Sequence, residues 1–189
     1  MDVYAGSDLP FARAELIRRL ALGQVGILPT DTLYGLSGDA TQTAVVRRIQ
    51  RIKRRRNPPS VIPSSVDWAL DAVAPRSRER FRATEPRYRG AFTTLWPAAN
   101  VPLQRTLGSR FIGLRFPDHW ITGFTEELGV PLVTTSVNRT TRAPMRDLES
   151  LDAGIAEEID FLVYEGPLEG PPSTLVWCNA KTPRLVRRS

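Results

Sequence analysis

The apolar run Val25-Gly26-Ile27-Leu28 stops at Pro29-Thr30-Asp31-Thr32-Leu33-Tyr34-Gly35-Leu36, and about one helix later come Lys53-Arg54-Arg55-Arg56-Asn57-Pro58. A short apolar run bounded by turn residues reads as a buried strand, and open sheets place ligands where such strands end. A hydroxyl-rich turn at that point, with fixed cations arriving from the next helix, makes a pocket for a polar anionic ligand. Each half also has a plainer account when taken alone. The hydroxyls can stabilise the turn by local bonds, and the cations can sit at a helix end favoured by its macrodipole.

The flanking sequence supplies alternating helices and strands. Ser7 or Asp8 caps a first helix with Pro10 in its first turn, and Phe11, Leu16, Ile17 and Leu20 form its apolar stripe up to Gly23. Thr41 caps a second helix whose stripe is Val45, Val46, Ile49 and Ile52, with Arg47, Arg48 and Arg51 on its solvated side. Strands are predicted at 60–62, 92–96, 111–116, 130–135, 161–164, 174–177 and 184–186. Helices are predicted at 66–73, at 120–128 with Asp118 as cap and Gly129 as stop, and at 148–159. The polar segment 76–89 shows no clean period, and 167–172 reads as a loop able to cover a site. The sum is a mixed α/β or α+β domain on one twisted sheet. At 189 residues the chain suits a single domain over 1–189, since domains cluster near roughly 100 to 150 residues and single cores extend to about 250.

Several classes of chemistry are excluded. No Walker phosphate loop, no Gly-x-Gly-x-x-Gly after a strand and no Gly-x-Ser-x-Gly occurs, so phosphates would have to be held by side chains. Cys178 and His119 are single residues of their kinds, which leaves no intramolecular disulfide and no Cys/His metal site; Cys178 reads as a small buried residue at a strand end. The opening residues lack a signal-peptide pattern and no run reaches membrane-span length, so a cytoplasmic location is expected. The +6 net charge is carried mostly by arginine, whose planar fork suits phosphate and carboxylate. It is equally a device for solubility.

A third group, Thr134-Thr135-Ser136-Val137-Asn138, runs a buried strand directly into Ser and Asn, able to hold a nucleotide through donor and acceptor bonds. With it the whole chain resembles the YrdC-like family, whose bacterial members are threonylcarbamoyl-adenylate synthases. The stretch 29–36 resembles the family's opening signature, Lys53-Arg54-Arg55 its Lys-x-Arg, and Asn57-Pro58 the Asn-Pro that follows. Gly113-Leu114-Arg115-Phe116-Pro117-Asp118-His119 is similar to its Ala-Val-Arg-x-Pro-x-His segment, Thr135-Ser136-Val137-Asn138 to its Ser-Ala-Asn, and Pro172-Ser173-Thr174 to its Pro-Ser-Thr. Arg187 falls where members carry a late arginine.

The resemblance implies a concave basic cleft and a nucleotidyltransferase joining L-threonine, bicarbonate and ATP into threonylcarbamoyl-adenylate and pyrophosphate, for modification of a tRNA adenosine. Carried over by position, Thr32, Arg115, Thr134 and Ser173 hold threonine. Lys53, Arg55, Asn57, Ser136, Asn138 and Arg187 surround ATP, with Lys53 and Arg55 acting electrostatically and no general base assigned. Magnesium is expected on the phosphates with no protein metal site; Asp31 is the nearest carboxylate. Double-stranded RNA or tRNA and downstream threonylcarbamoyl-transferase proteins are the implied partners, and no membrane is involved. The chain departs from the pattern in four places. The loop after Lys53 is shorter, and Ile62 or Pro63 replaces a histidine. The usual Trp-Pro-Gly-Pro-x-Thr becomes Tyr88-Arg89-Gly90-Ala91-Phe92-Thr93, and Arg139-Thr140-Thr141 replaces Leu-Ser-Gly. These keep open an alternative, a YciO-like paralogue that binds RNA or nucleotide without synthase activity.

Overall fold

The structure, a computed structural model, describes residues 1–55, 58–99, 101–139, 141–180 and 182–186. Ten strands lie among them: β1 (Asp2–Ala5), β2 (Gly26–Leu28), β3 (Gly35–Asp39), β4 (Ser60–Ile62), β5 (Phe92–Pro97), β6 (Phe111–Leu114), β7 (Leu132–Ser136), β8 (Phe161–Tyr164), β9 (Thr174–Trp177) and β10 (Arg184–Val186). They form one mixed sheet in the order β1-β8-β2-β3-β7-β4-β6-β5-β9-β10. The pairs β1/β8, β2/β8, β4/β6 and β5/β9 are parallel; β2/β3, β3/β7, β4/β7, β5/β6 and β9/β10 are antiparallel. The helices are α1 (Leu9–Ala21), α2 (Thr43–Lys53), α3 (Val66–Ala72), α4 (Arg78–Thr84), α5 (Val101–Leu107), α6 (Ile121–Leu128) and α7 (Ala153–Ala156).

Successive residues of a strand point to opposite faces, and here both faces are buried. Ile27, Val61, Val133 and Leu162 join the core under α2, with Val45, Val46, Ile49 and Ile52. Their neighbours Leu28, Ile62, Leu132, Phe161 and Val163 join a second core with Leu16 and Leu20 of α1 and Ile121 and Phe124 of α6. Each fully buried aliphatic side chain contributes about 1.5–3 kcal/mol, so the central strands are fixed in register from both sides. Polar groups can then collect only where the strands end.

Four local expectations are corrected. Thr41 does not cap α2: Asp39 Oδ1 accepts from Thr41 N at 2.8 Å and from its hydroxyl at 2.7 Å, and Gln42 is the cap residue. Asp118 does not cap α6: the helix starts after Trp120, which is the cap residue, two positions beyond Asp118, whose N–H donates to Asp31. Phe11 is 90% exposed; Leu9 and Ala12 take the inward positions of that first turn. The helix expected over 148–159 shrinks to α7. Ser150 Oγ accepts from the N–H groups of Arg146 and Asp147 while Asp147 Oδ1 accepts from Ser150 N, and such local side-chain bonds compete with helix. Strands β1 and β3 and helix α5 were not anticipated. The sequence of β3, Gly-Leu-Ser-Gly-Asp, has no β-branched residue, and it is a strand because β2 and β7 flank it.

The end of α2 is built as a Schellman turn. Arg54 N donates to Arg51 O and Arg55 N to Gln50 O, with Arg54 in the left-handed region at φ 52°, the position that favours glycine. This turn leaves Lys53 in the last helical position and sends Arg55 out of the helix on a new course. Replacing Arg54 by Gly relieves the left-handed strain, offset in part by the entropy glycine adds to the unfolded chain. The expected outcome is a gain of about 0.5–1 kcal/mol, read as a higher urea midpoint at unchanged m-value.

Candidate functional site

The turn after β2 is closed by Thr30. Its Oγ1 accepts from the N–H groups of Thr32 (3.2 Å) and Leu33 (3.3 Å) and donates to Leu33 O at 2.7 Å. Local hydroxyl bonding therefore accounts for Thr30, and it leaves Asp31 and Thr32 to face outward from the turn. Both meet Arg115, which follows β6. Arg115 Nη2 donates to Asp31 Oδ1 and, at 2.8 Å, to Thr32 Oγ1, and its Nε donates to Gly90 O at 3.1 Å. The residue is 6% exposed. Burial lowers its pKa from the usual arginine value, while the charge of Asp31 and its hydrogen bond oppose the shift. The side chain is thus a buried cation with one carboxylate beside it.

A second cluster forms where β7 ends. Lys53 Nζ donates to Ser136 O at 2.6 Å and to Asn138 Oδ1, and lies 3.3 Å from Ser136 Oγ. Ser136 Oγ also donates to Asn138 Oδ1 at 2.8 Å. Lys53 is buried. The pairing of β3 with β7 and of β7 with β4 sets Gly35 opposite Ser136 and Ser60 opposite Thr134. A Cβ on Gly35 would come within 2.2 Å of Thr134 Oγ1; the hydroxyl occupies the space that only glycine leaves.

The two clusters border one cavity of about 350 Å³, lined among others by Thr32, Arg55, Arg115, Thr134, Ser136 and Ser173. An adjoining cleft of about 570 Å³ is lined by Lys53, with Gln50, Leu95, Phe111, Leu175 and Trp177. Arg55, Ser60 and Thr135 line both. A further open depression of about 880 Å³ at Arg76, Arg80 and Arg110 includes none of the sequence-predicted site residues.

The segment 165–173, between β8 and β9, forms a strap whose Pro172 and Ser173 line the smaller cavity. Tyr34 anchors its start: the phenol donates to Gly166 O at 2.6 Å and accepts from Glu165 N at 3.0 Å. Burial pushes the phenol up to about 12, against the effect of the Glu165 N–H, so it stays a neutral donor. Glu165 also takes Trp120 Nε1 at 2.5 Å and lies 3.1 Å from His119 Nε2. At the far end Ser173 Oγ meets Thr93 Oγ1 at 2.8 Å.

Eight residues named from the sequence are therefore brought together: Thr32, Lys53, Arg55, Arg115, Thr134, Ser136, Asn138 and Ser173. Asn57 and Arg187 lie outside the described residues. Asp31, the nearest carboxylate to a metal in the sequence reading, is committed to Arg115 and to Asp118 N, and among the described residues no group of three or more His, Cys, Asp or Glu is placed to hold a metal. Of Ile62 and Pro63, the two residues read against the histidine of the resembled pattern, Ile62 is buried with α1 and α6 in the second core. Sequence reasoning missed Gly90 as an acceptor for Arg115. The signal was present: glycine is what survives of the altered Trp-Pro-Gly-Pro segment. It also missed Thr141, at φ 72°, a conformation that costs a β-branched residue about 1–3 kcal/mol and clusters at functional sites. Cys178 is buried as expected, and burial raises its thiol to about 11 despite nearby Arg80. Among the described residues no helix is long and apolar enough to cross a membrane.

The fold and site define an α/β protein with a hydroxyl-lined cavity and an adjoining cleft flanked by Lys53 and Arg55. The family model Sua5_yciO_yrdC, described as "Telomere recombination", matches residues 18–189, and the chain belongs to this family. A protein of Xanthomonas euvesicatoria pv. vesicatoria (strain 85-10) named threonylcarbamoyl-AMP synthase is 33% identical over 156 residues, 78% of this chain and 82% of that protein. One of the same name from Bacillus subtilis (strain 168) is 27% identical over 98% of this chain, which spans only 55% of that relative's length. Among solved structures, P. abyssi Sua5 complexed with L-threonine superposes with a TM-score of 0.82 at 23% identity, covering 98% of this chain and 56% of that one. E. coli YciO does so at 0.81 and 20% identity, covering 100% and 96%. Both structures share the fold.

Gly170 tests the strap. A Cβ there would lie 2.7 Å from Thr32 O and 3.0 Å from Thr32 Cα, backbone atoms that cannot rotate away. Gly170→Ala is expected to cost about 1–3 kcal/mol, the usual range for overpacking, read by urea unfolding.

Proposed function

We propose that the chain, acting as one unit over residues 1–189, is an L-threonylcarbamoyladenylate synthase. It joins L-threonine, bicarbonate and ATP and releases pyrophosphate, a nucleotidyl transfer whose product serves tRNA threonylcarbamoyladenosine modification. The observation that carries the reading is the meeting of Lys53 with Ser136 and Asn138 beside the cavity bordered by Thr32, Arg115, Thr134 and Ser173. The names of the relatives support it.

In this reading the smaller cavity takes threonine, and the Arg115 fork, through the nitrogen not engaged by Asp31, Thr32 or Gly90, faces the carboxylate. The hydroxyls of Thr32, Thr134 and Ser173 supply the remaining donors and acceptors. The triphosphate lies toward Lys53, Arg55, Ser136 and Asn138, with Asn57 and Arg187 completing the set named from the sequence. Magnesium enters with the ATP phosphates as part of the substrate. Bicarbonate loses water to give carbon dioxide, the deprotonated threonine amine adds to it to form a carbamate, and a carbamate oxygen then attacks the α-phosphorus of ATP as its bond to the leaving pyrophosphate breaks. Little of this needs a protein acid or base. In-line positioning and neutralisation of the leaving pyrophosphate supply the rate.

Purified protein given ATP, bicarbonate and magnesium is expected to release pyrophosphate only when threonine is added. Nucleotide binding without threonine-dependent product would favour the YciO-like alternative. Lys53→Met keeps the volume of the buried stem and removes the cation. It is expected to lower pyrophosphate release about 100- to 1,000-fold, the loss typical of one donor in a preorganised site, while calorimetry shows threonine binding little changed.

A further inference from the structure

The turn after Asn138 carries a cation that the scheme above leaves unused. Arg142 lines the smaller cavity with Arg55 and Arg115, yet its side chain is 72% exposed. Its Nη1 lies 3.1 Å from Asp152 Oδ2. Its carbonyl accepts from Asn138 Nδ2 at 2.5 Å, and the Oδ1 of the same amide accepts from Lys53. One asparagine side chain thus fixes both the buried ammonium and the backbone that carries Arg142. The left-handed Thr141 next to it turns the chain so that residues 141 and 142 both line the cavity.

Arg139 makes the contrast. Its side chain is 16% exposed and is held by both Asp152, at 3.5 Å, and Glu158, at 3.3 Å; it is a structural tie between the turn and α7. Among the described residues the Arg142 side chain pairs with Asp152 alone, from a position that is itself 72% exposed, and ion pairs open to water on one side are weak and readily exchanged. When Arg142 leaves, Asp152 keeps Arg139 and the Ile155 N–H it caps, so no bare carboxylate results. A guanidinium matches two phosphate oxygens at once. The tie to Asn138 links the Arg142 backbone to the Lys53 and Ser136 cluster.

We infer that Arg142 is a further phosphate-binding residue, exchanging Asp152 for the polyphosphate of a nucleoside triphosphate at the cavity mouth. The inference rests on the ATP-using reading of this site. It is tested by calorimetric titration of a non-hydrolysable ATP analogue with magnesium into the full chain. Arg142→Ala is expected to weaken nucleotide binding about tenfold, as for loss of one charge-assisted hydrogen bond, with threonine affinity unchanged, and Arg142→Lys to recover part of it. Asp152→Asn keeps a capping oxygen and removes the competitor, so it is expected to bind nucleotide more tightly than wild type. Arg82→Ala removes the same charge from α4, which lines neither cavity, and is expected to bind as wild type does. Wild-type affinity in Arg142→Ala, or an equal loss in Arg82→Ala, overturns the inference and leaves the synthase reading standing. Absence of saturable nucleotide binding by the wild-type chain overturns both.

Discussion

A buried guanidinium is costly unless its charge and its donors are met, and Arg115 imposes that condition on everything around it. Asp31 meets the charge, Thr32 and Gly90 meet two donor directions, and Asp31 in turn receives Asp118 N at the approach to α6. Four separate stretches of chain therefore meet around one side chain: the turn after β2, Gly90 two residues before β5, the end of β6 and the approach to α6. The hydroxyl-rich turn owes its shape to Thr30, but its orientation to Arg115.

The same logic recurs on a smaller scale at Lys53. A buried ammonium finds a carbonyl, a hydroxyl and an amide oxygen at the end of β7, so the end of α2 and the end of β7 are locked together. The Schellman turn then lets Arg55, two residues on, reach the wall that divides the two cavities. In the proposed chemistry that wall is where an amino-acid adduct and a nucleotide would meet.

Much of this was legible in the sequence, for identifiable reasons. Strands such as 60–62 and 161–164 are apolar, buried on both faces and bounded by turn residues, so pattern alone found them. The site residues were legible because each sits at a strand or helix end, where polar residues interrupt an apolar run. What stayed hidden depended on partners distant in sequence. The strand β3 has no local β preference and exists through β2 and β7; Gly90 matters because Arg115 reaches it. Thr41 and Asp118 look like caps in sequence, but Asp39 at the end of β3 takes the Thr41 hydroxyl, and Asp31 holds the Asp118 N–H while α6 begins only after Trp120. The end of the chain and the loop at 56–57, where Arg187 and Asn57 were named, fall outside the described residues.

The strap that lines the smaller cavity with Pro172 and Ser173 joins β8, second in the sheet order, to β9, ninth. At about 4.8 Å per strand, a flat sheet would separate them by roughly 34 Å. Ten Cα steps from Tyr164 to Thr174 reach at most about 33–36 Å. The crossing therefore closes only if the segment is nearly stretched out or the sheet curls beneath it. A segment fastened at both ends differs from a flap on a single hinge, because moving it breaks a bond at Tyr34 or at Thr93. The wall that Pro172 and Ser173 give the cavity is thus held from two distant strands' neighbourhoods at once, by Tyr34 before β3 and by Thr93 in β5.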